Sequence, residues 1–438
     1  MSWGLNMLRR LTFVVLFAAS PALAGGPVEV PAGGAALVQA VRTAGAGSEL
    51  LLAPGIHAGP ITLEQALVVT CAPGAVIEGN GVGSVVTIDA PDVTVQGCDI
   101  RGSGSSHETI DSGVQLSKAA SRAQVLDNRV EGNLYGIDIH GARDALVARN
   151  TIIGRQDRRM NTRGNGVYVW NAPGARVEDN DIRYGRDGIF SNSSKQNVFS
   201  GNLFRDLRFA VHYMYTNDSK VIGNVSIGNH LGYALMFSNN IEARDNISLG
   251  DRDHGLMLNY ANRSDITGNL VRGGAEKCTF IYNANRNLIY GNRFEGCEIG
   301  IHFTAGSEGN AVTGNAFIAN RNQVKYVGSR MVEWSLDGRG NYWSDNPAFD
   351  LDGDGFADGV YRPNDLMDHI LWSQPAARLL LGSPAVQLVR WSQSSFPATL
   401  PGGVIDSHPL MAPVEIEVPA RYEEYEAEHQ LGAGQEGS

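Results

Sequence analysis

The sequence predicts an all-β chain, a right-handed single-stranded parallel β-helix with a small carboxy-terminal helical cap or docking segment, and three observations predict it. A motif opening on Asn, in most copies with a large apolar residue two positions on, recurs at Asn128, Asn150, Asn180, Asn202, Asn224, Asn246, Asn269, Asn292 and Asn315. Its gaps are 22, 30, 22, 22, 22, 23, 23 and 23 residues. Such a period is too short for helical-pair repeats and suits one coil of three short strands, stacked on the next coil at about 4.8 Å. Composition agrees: 53 of 438 residues are Gly and only 18% are charged, which excludes a coiled coil and charge-driven disorder. Between the asparagines, apolar side chains alternate with a period of two, the strand signature.

At the amino terminus, Arg9-Arg10 precede an apolar run from Leu11 to Ala19 and the small-residue sequence Pro21-Ala22-Leu23-Ala24. This reads as a signal peptide over residues 1–24, cleaved near Ala24, and places the mature chain in the periplasm. The run is too short to span a bilayer comfortably. A formal charge of −11 speaks against a nucleic-acid groove, which needs a dense Lys/Arg surface. Cys71, Cys98, Cys278 and Cys297 show no zinc spacing, and an oxidising compartment permits two disulfides among them.

Residues 25–335 form the coils. The Gly- and Pro-rich apolar stretch from Pro54 to Ile100 supplies early, less regular ones. Each repeated Asn is expected at a corner, its amide bonded to the equivalent amide above and below. The single gap of 30 expels about eight residues as a loop, 154–165, carrying Arg155, Arg158, Arg159 and Arg163 with Met160 near its tip. It is either a solvated loop or a basic arm that docks an acidic partner.

A second register carries the chemistry. The segments Gly136-Ile137-Asp138-Ile139-His140, Ala210-Val211-His212-Tyr213-Met214, Ala234-Leu235-Met236-Phe237-Ser238, Gly255-Leu256-Met257-Leu258-Asn259 and Gly300-Ile301-His302-Phe303-Thr304 align as strands. If Val211/Tyr213, Leu235/Phe237 and Leu256/Leu258 fill the interior, the residues between them face outward. One outward column then reads Asp138, Tyr168, Phe190, His212, Met236, Met257, Ile281, His302; the other reads His140, Trp170, Asn192, Met214, Ser238, Asn259, Asn283, Thr304. On this register His212 and Met236 stand one rung apart, with Met214 two residues along from His212, so one ion reaches all three. Thioether sulfur selects Cu(I), imidazole suits it, and Asp138 is the lone carboxylate. His212, Met214 and Met236 are the expected Cu(I) ligands, Met257 the next on the ladder, and His302 and His140 further candidates. The same methionines would also serve as packing beneath a covering segment.

The competing class is a sugar protein, because parallel β-helices often bind polysaccharide along one sheet. Glycosidases need two carboxylates, and uronate lyases or epimerases need a base beside a cation. The outward columns hold one acid and neither Arg nor Lys, which leaves polysaccharide binding through Tyr168, Phe190 and Trp170 as the alternative.

Residues 336–413 depart from the repeat. Asp350, Asp352, Asp354 and Asp358, with Gly355 at the sixth position and the Phe356 carbonyl at the seventh, copy the ligand spacing of a calcium loop. Tyr361 stands where the bidentate Glu would be, so the expectation is a shortened structural Ca2+ loop or an unfilled acidic turn. Two amphipathic segments follow, one from Asp368 through Trp372 to Leu379, Leu380 and Leu381, the other from Pro384 to Trp391. They are expected as helices that cap the coil or dock on a partner. Residues 414–438 form an acidic tail expected to be disordered.

The stretches GNYWSD (340–345), DLDGDG (350–355), YRPNDL (361–366), LLLGSPAVQL (379–388) and DSHPLM (406–411), with the signal peptide and the Asn-marked coils, resemble the NosD family of periplasmic maturation proteins of nitrous oxide reductase over residues 25–413. The resemblance implies a non-catalytic subunit working with a membrane ABC permease and its ATPase. Such a subunit takes copper from a lipoprotein chaperone and passes it to apo nitrous oxide reductase. It implies no residue-by-residue site, so the ligands above rest on register alone.

Overall fold

The computed structural model describes residues 26–364, 370, 374–380, 383–395, 403–422 and 425. The expected signal peptide, Trp372 and the end of the tail, 426–438, lie outside the described residues. The chain winds as a right-handed parallel β-helix whose three sheets hold 13, 12 and 13 strands, all paired with their equivalents in the next coil. One coil shows the plan: Val198–Ser200, a corner at Asn202, Leu203–Arg205, then the longer strand Phe209–Met214. Strands of the 12-stranded sheet reach six residues, and we refer to it as the wide sheet.

The corner asparagines form the expected ladder. Each backbone N–H donates to the Oδ1 of the next Asn at 2.9–3.1 Å, from Asn128 to Asn315 without a break. The residue before each Asn turns the corner in the left-handed region, as Gly201 does at φ 66°, where glycine meets no Cβ penalty. Inside, stacked aliphatic side chains such as Val211, Leu235, Leu256 and Ile301 are fully buried.

Both ends are closed. The helix Ala36–Thr43 buries Leu37 and Val41 over the amino-terminal coil. At the other end Asn341 takes the ladder's last place, its Oδ1 accepting from the Asn315 N–H at 3.1 Å. Asp406 then accepts from the Asn341 N–H and from Trp343 Nε1, both at 2.7 Å. A Cβ on Gly340 would lie 1.8 Å from Asp406 Oδ1, so that glycine is required by close approach. GNYWSD and DSHPLM are therefore two halves of one cap, joined by the pairing of Met331–Glu333 with Gly403–Ile405. Both disulfides form, Cys71–Cys98 and Cys278–Cys297.

Residues 154–165 leave the coil as a loop. Arg155 is tied down by bonds to Gly132, Ser105 and Gly104, Arg158 and Arg159 are exposed, and Met160 opens a short 3-10 turn, half-buried. The carboxy-terminal segments are a 3-10 stretch, Pro375–Leu380, and a helix, Pro384–Ser395. The disorder expected from residue 414 onward is corrected for its first part. Ile416, Val418 and Tyr422 pack on Val225, Ile227, Ile247, Leu249 and Leu270 of a 13-stranded sheet, and Arg293 pairs with Glu415 at 2.7 Å. The strap forms because apolar residues alternate with its acids, giving it a face to bury.

Candidate metal site on the wide sheet

The wide sheet does carry the outward histidines and methionines, with the register corrected in two coils. Strand Phe209–Met214 pairs with Leu231–Met236 so that His212 lies opposite Ala234 and Met214 opposite Met236. Leu231–Met236 in turn sets Ala234 opposite Met257. The inward pair of that coil is Tyr233/Leu235, both buried, and Phe237 sits beyond the strand at φ 48°, stacked on Tyr215 and Tyr260. Two coils further, Phe280 and Tyr282 face outward and Ile281 is core. The columns therefore read Asp138, Tyr168, Phe190, His212, Ala234, Met257, Phe280, His302, and His140, Trp170, Asn192, Met214, Met236, Asn259, Tyr282.

The correction brings the two thioethers closer. Met214 and Met236 occupy neighbouring rungs of one column, about 4.8 Å apart at the backbone, with His212 beside Met214 on the same strand. Ala234, opposite His212, leaves the only small side chain among them, yet it is fully buried on the outer face; its larger neighbours close over it. Met214, Met236 and Met257 are each half-buried.

His212 is the most constrained member, 8% exposed. Its ring stacks near Phe190 at 4.7 Å and meets Phe209 edge-on at 5.0 Å. Nδ1 lies 3.2 Å from Asp187 Oδ2, and Arg208 donates to both oxygens of that carboxylate at 2.7 and 2.6 Å. Burial alone would raise the Asp187 carboxyl, but the hydrogen bonds from His212 and Arg208 outweigh it and hold the group below the usual carboxylate range. Nε2 is buried and finds no hydrogen-bond partner among the described residues. Asp187 and Arg208 lie off the outward columns that the sequence predicts; their only signal there is a charged residue that opens one strand, Asp187, and another that immediately precedes the next, Arg208.

The weaker candidates lie apart. His302 is two rungs from Met257, beyond Phe280. Burial first, then Lys325 and Lys277, lowers its pKa to about 4, surroundings that repel a cation. His140 stacks on Trp170 at 4.3 Å four rungs before Met236, and its neighbour Asp138 is buried with Oδ1 finding no hydrogen-bond partner among the described residues.

Away from this face, Asp350, Asp352 and Asp354 bring carboxylate oxygens within 4.8 Å of one another. Asp350 accepts from the Gly353 and Gly355 amides. Asp358 turns to the Leu351 amide at 2.9 Å, and Phe356 gives its own amide to Asp354. No helix among the described residues is long and apolar enough to cross a membrane.

Comparisons with known proteins agree with this architecture. Residues 148–348 match the family described as "Periplasmic copper-binding protein (NosD)". The chain is 44% identical over 374 residues to "Probable ABC transporter binding protein NosD" of Stutzerimonas stutzeri, covering 82% of this chain and 86% of that one. It is 42% identical to the protein of the same description in Pseudomonas aeruginosa, over 82% and 87% of the two chains. Among solved structures, a hyperthermoactive exopolygalacturonase from Thermotoga maritima shares the fold, with a TM-score of 0.52, 12% identity and coverage of 67% of this chain and 87% of that one. With identity above 40% across nearly the whole of two such relatives, the chain belongs to the NosD family.

Proposed function

We propose that the chain is a periplasmic, non-catalytic copper-relay subunit of an ABC transporter complex, receiving Cu(I) from a lipoprotein chaperone and delivering it to apo nitrous oxide reductase. The observation that carries the reading is the buried Nε2 of His212, which has no hydrogen-bond partner among the described residues, two residues from Met214 on one strand, with Met236 opposite Met214 on the next. A soft, neutral donor set of one imidazole and two thioethers suits Cu(I). Without a thiolate it releases the ion readily, and Met257 extends the donor series by one more strand. The relatives' description as ABC transporter binding proteins supports a permease and its ATPase as partners. Exposed Leu380 and Trp391 suit docking there, and Arg158 and Arg159 suit an acidic partner.

The polysaccharide reading loses ground on ring orientation. Tyr168 stacks on Phe190 at 5.5 Å and 12°, and His140 on Trp170 at 27°. Ring faces are spent on each other along the coil axis, whereas a sugar needs a free face. Cu(I) competition titration of the mature chain against a His212→Ala/Met214→Ala/Met236→Ala variant tests the proposal. The variant is expected to lose the ion; equal affinity in both would reject the site, and a specific oligosaccharide ligand without copper uptake would favour the sugar class. A Ca2+ ion at Asp350, Asp352 and Asp354 would be structural, and that reading requires chelator to lower the melting temperature and added Ca2+ to restore it.

A further inference from the structure

We propose that Asp187, clamped by Arg208, is the positioning residue of this site: it fixes His212 as the Nδ1–H tautomer so that Nε2 presents its lone pair to the ion. The inference rests on the copper reading above. Its geometry is a chain of three groups: Arg208 grips the carboxylate through two bonds, and the carboxylate accepts from Nδ1. Asp187 is 1% exposed on its side chain, so water does not compete for its oxygens.

The chemistry follows from donor and acceptor counting. An ionised carboxylate only accepts, so Nδ1 must donate, and a neutral imidazole has a single N–H. Nε2 is then a bare acceptor. It is buried without a hydrogen-bond partner among the described residues, an unfavourable state that a metal ion relieves. A doubly protonated ring would bury an equally unpaired Nε2–H and add a second cation beside Arg208. The carboxylate also makes the imidazole a better donor, as outer partners of metal-bound histidines do. Phe190 and Phe209 hold the ring plane from two sides, so rotation does not offer Nδ1 instead.

Asp187→Asn tests this because the amide keeps the shape and reverses one hydrogen bond. Its single oxygen stays with Arg208, leaving its NH2 toward His212, which drives the proton to Nε2 and blocks the ligand atom. Long-range 1H–15N spectra of the 15N-histidine-labelled mature chain, without copper at neutral pH, are expected to show His212 protonated on Nδ1. In Asp187→Asn the signal should move to Nε2, with Cu(I) affinity falling about 10- to 100-fold. Arg208→Gln, which loosens the clamp without reversing it, should fall less and keep the tautomer. Wild-type protein protonated on Nε2 would overturn the proposal whether or not the variants fold. Unchanged affinity in a folded Asp187→Asn, while His212→Ala loses copper, would overturn it and leave the copper reading standing. Unchanged affinity in His212→Ala as well would overturn both.

Discussion

Asp138 shows how much a single outward position can matter on this face. It is fully buried, bonded to Gln115 at 3.2 Å through one oxygen, with the other finding no partner among the described residues, and burial raises its pKa from 3.8 to about 7. A folded value above the ordinary one means that the protonated form is the stabilising one. Its contribution is complete below pH 4 and is lost as the pH rises through about 7. Asp138→Asn should therefore melt like the parent at pH 4 and at a higher temperature at pH 8, with a difference of at most about 4 kcal/mol; a variant less stable at pH 8 would contradict this. The same scale marks where sequence reading slipped. In Ala234-Leu235-Met236-Phe237-Ser238 both alternations offer apolar residues to the core, so periodicity could not choose between them. The constant distance from the corner does choose: Met214 and Met236 each lie twelve residues after their ladder asparagine. The tautomer partner Asp187 offers only a faint signal, a charge at the start of a strand, since its value comes from a diagonal contact between coils.

At the scale of the element, the ladder is both the strongest sequence signal and the clearest stabilising device. Asn224 accepts from the backbone and side chain of Asn202 at 3.1 and 2.9 Å and donates to the Phe199 carbonyl at 2.9 Å. Truncating it in Asn224→Ala leaves buried donors and an acceptor unpaired, at about 1–3 kcal/mol each. Denaturant melting should show a loss of roughly 2–5 kcal/mol with Cu(I) affinity retained in the folded fraction; a loss under 1 kcal/mol would make the ladder a passive consequence of coiling. Regular spacing made these corners legible from Asn128 to Asn315. Asn341, the terminal rung, follows after 26 residues and depends on Asp406, 65 residues further on, a partnership that no local period encodes. Motif resemblance located both halves of the cap without revealing that they touch.

For the whole molecule, the strap over the 13-stranded sheet is the feature composition concealed. From Glu415 onward the chain has seven acids and one arginine, which reads as solvated, yet Ile416, Val418, Tyr422 and Tyr425 reach the sheet between them. Arg205 lies over the Tyr425 ring at 4.6 Å. Removing residues 414–438 should uncover Val225, Ile227, Ile247 and Leu249 and increase binding of a hydrophobic dye, while Cu(I) uptake on the wide sheet stays intact; unchanged dye binding would show that the strap covers nothing. If the proposed docking on an ABC permease holds, deleting 366–395 should abolish co-purification with it, and continued co-purification would place docking elsewhere. Coil architecture itself was legible because every coil repeats one plan, and its longest interruption was too. Between Asn150 and Asn180 eight extra residues leave and return, and the ladder bond across them is 2.9 Å, the same as across Asn128 and Asn150. Contour length is thus uncoupled from coil position at that corner. A descendant can lengthen, trim or exchange the arm there, acquiring a new recognition surface by recombination, while the inherited face of histidines and methionines stays in place.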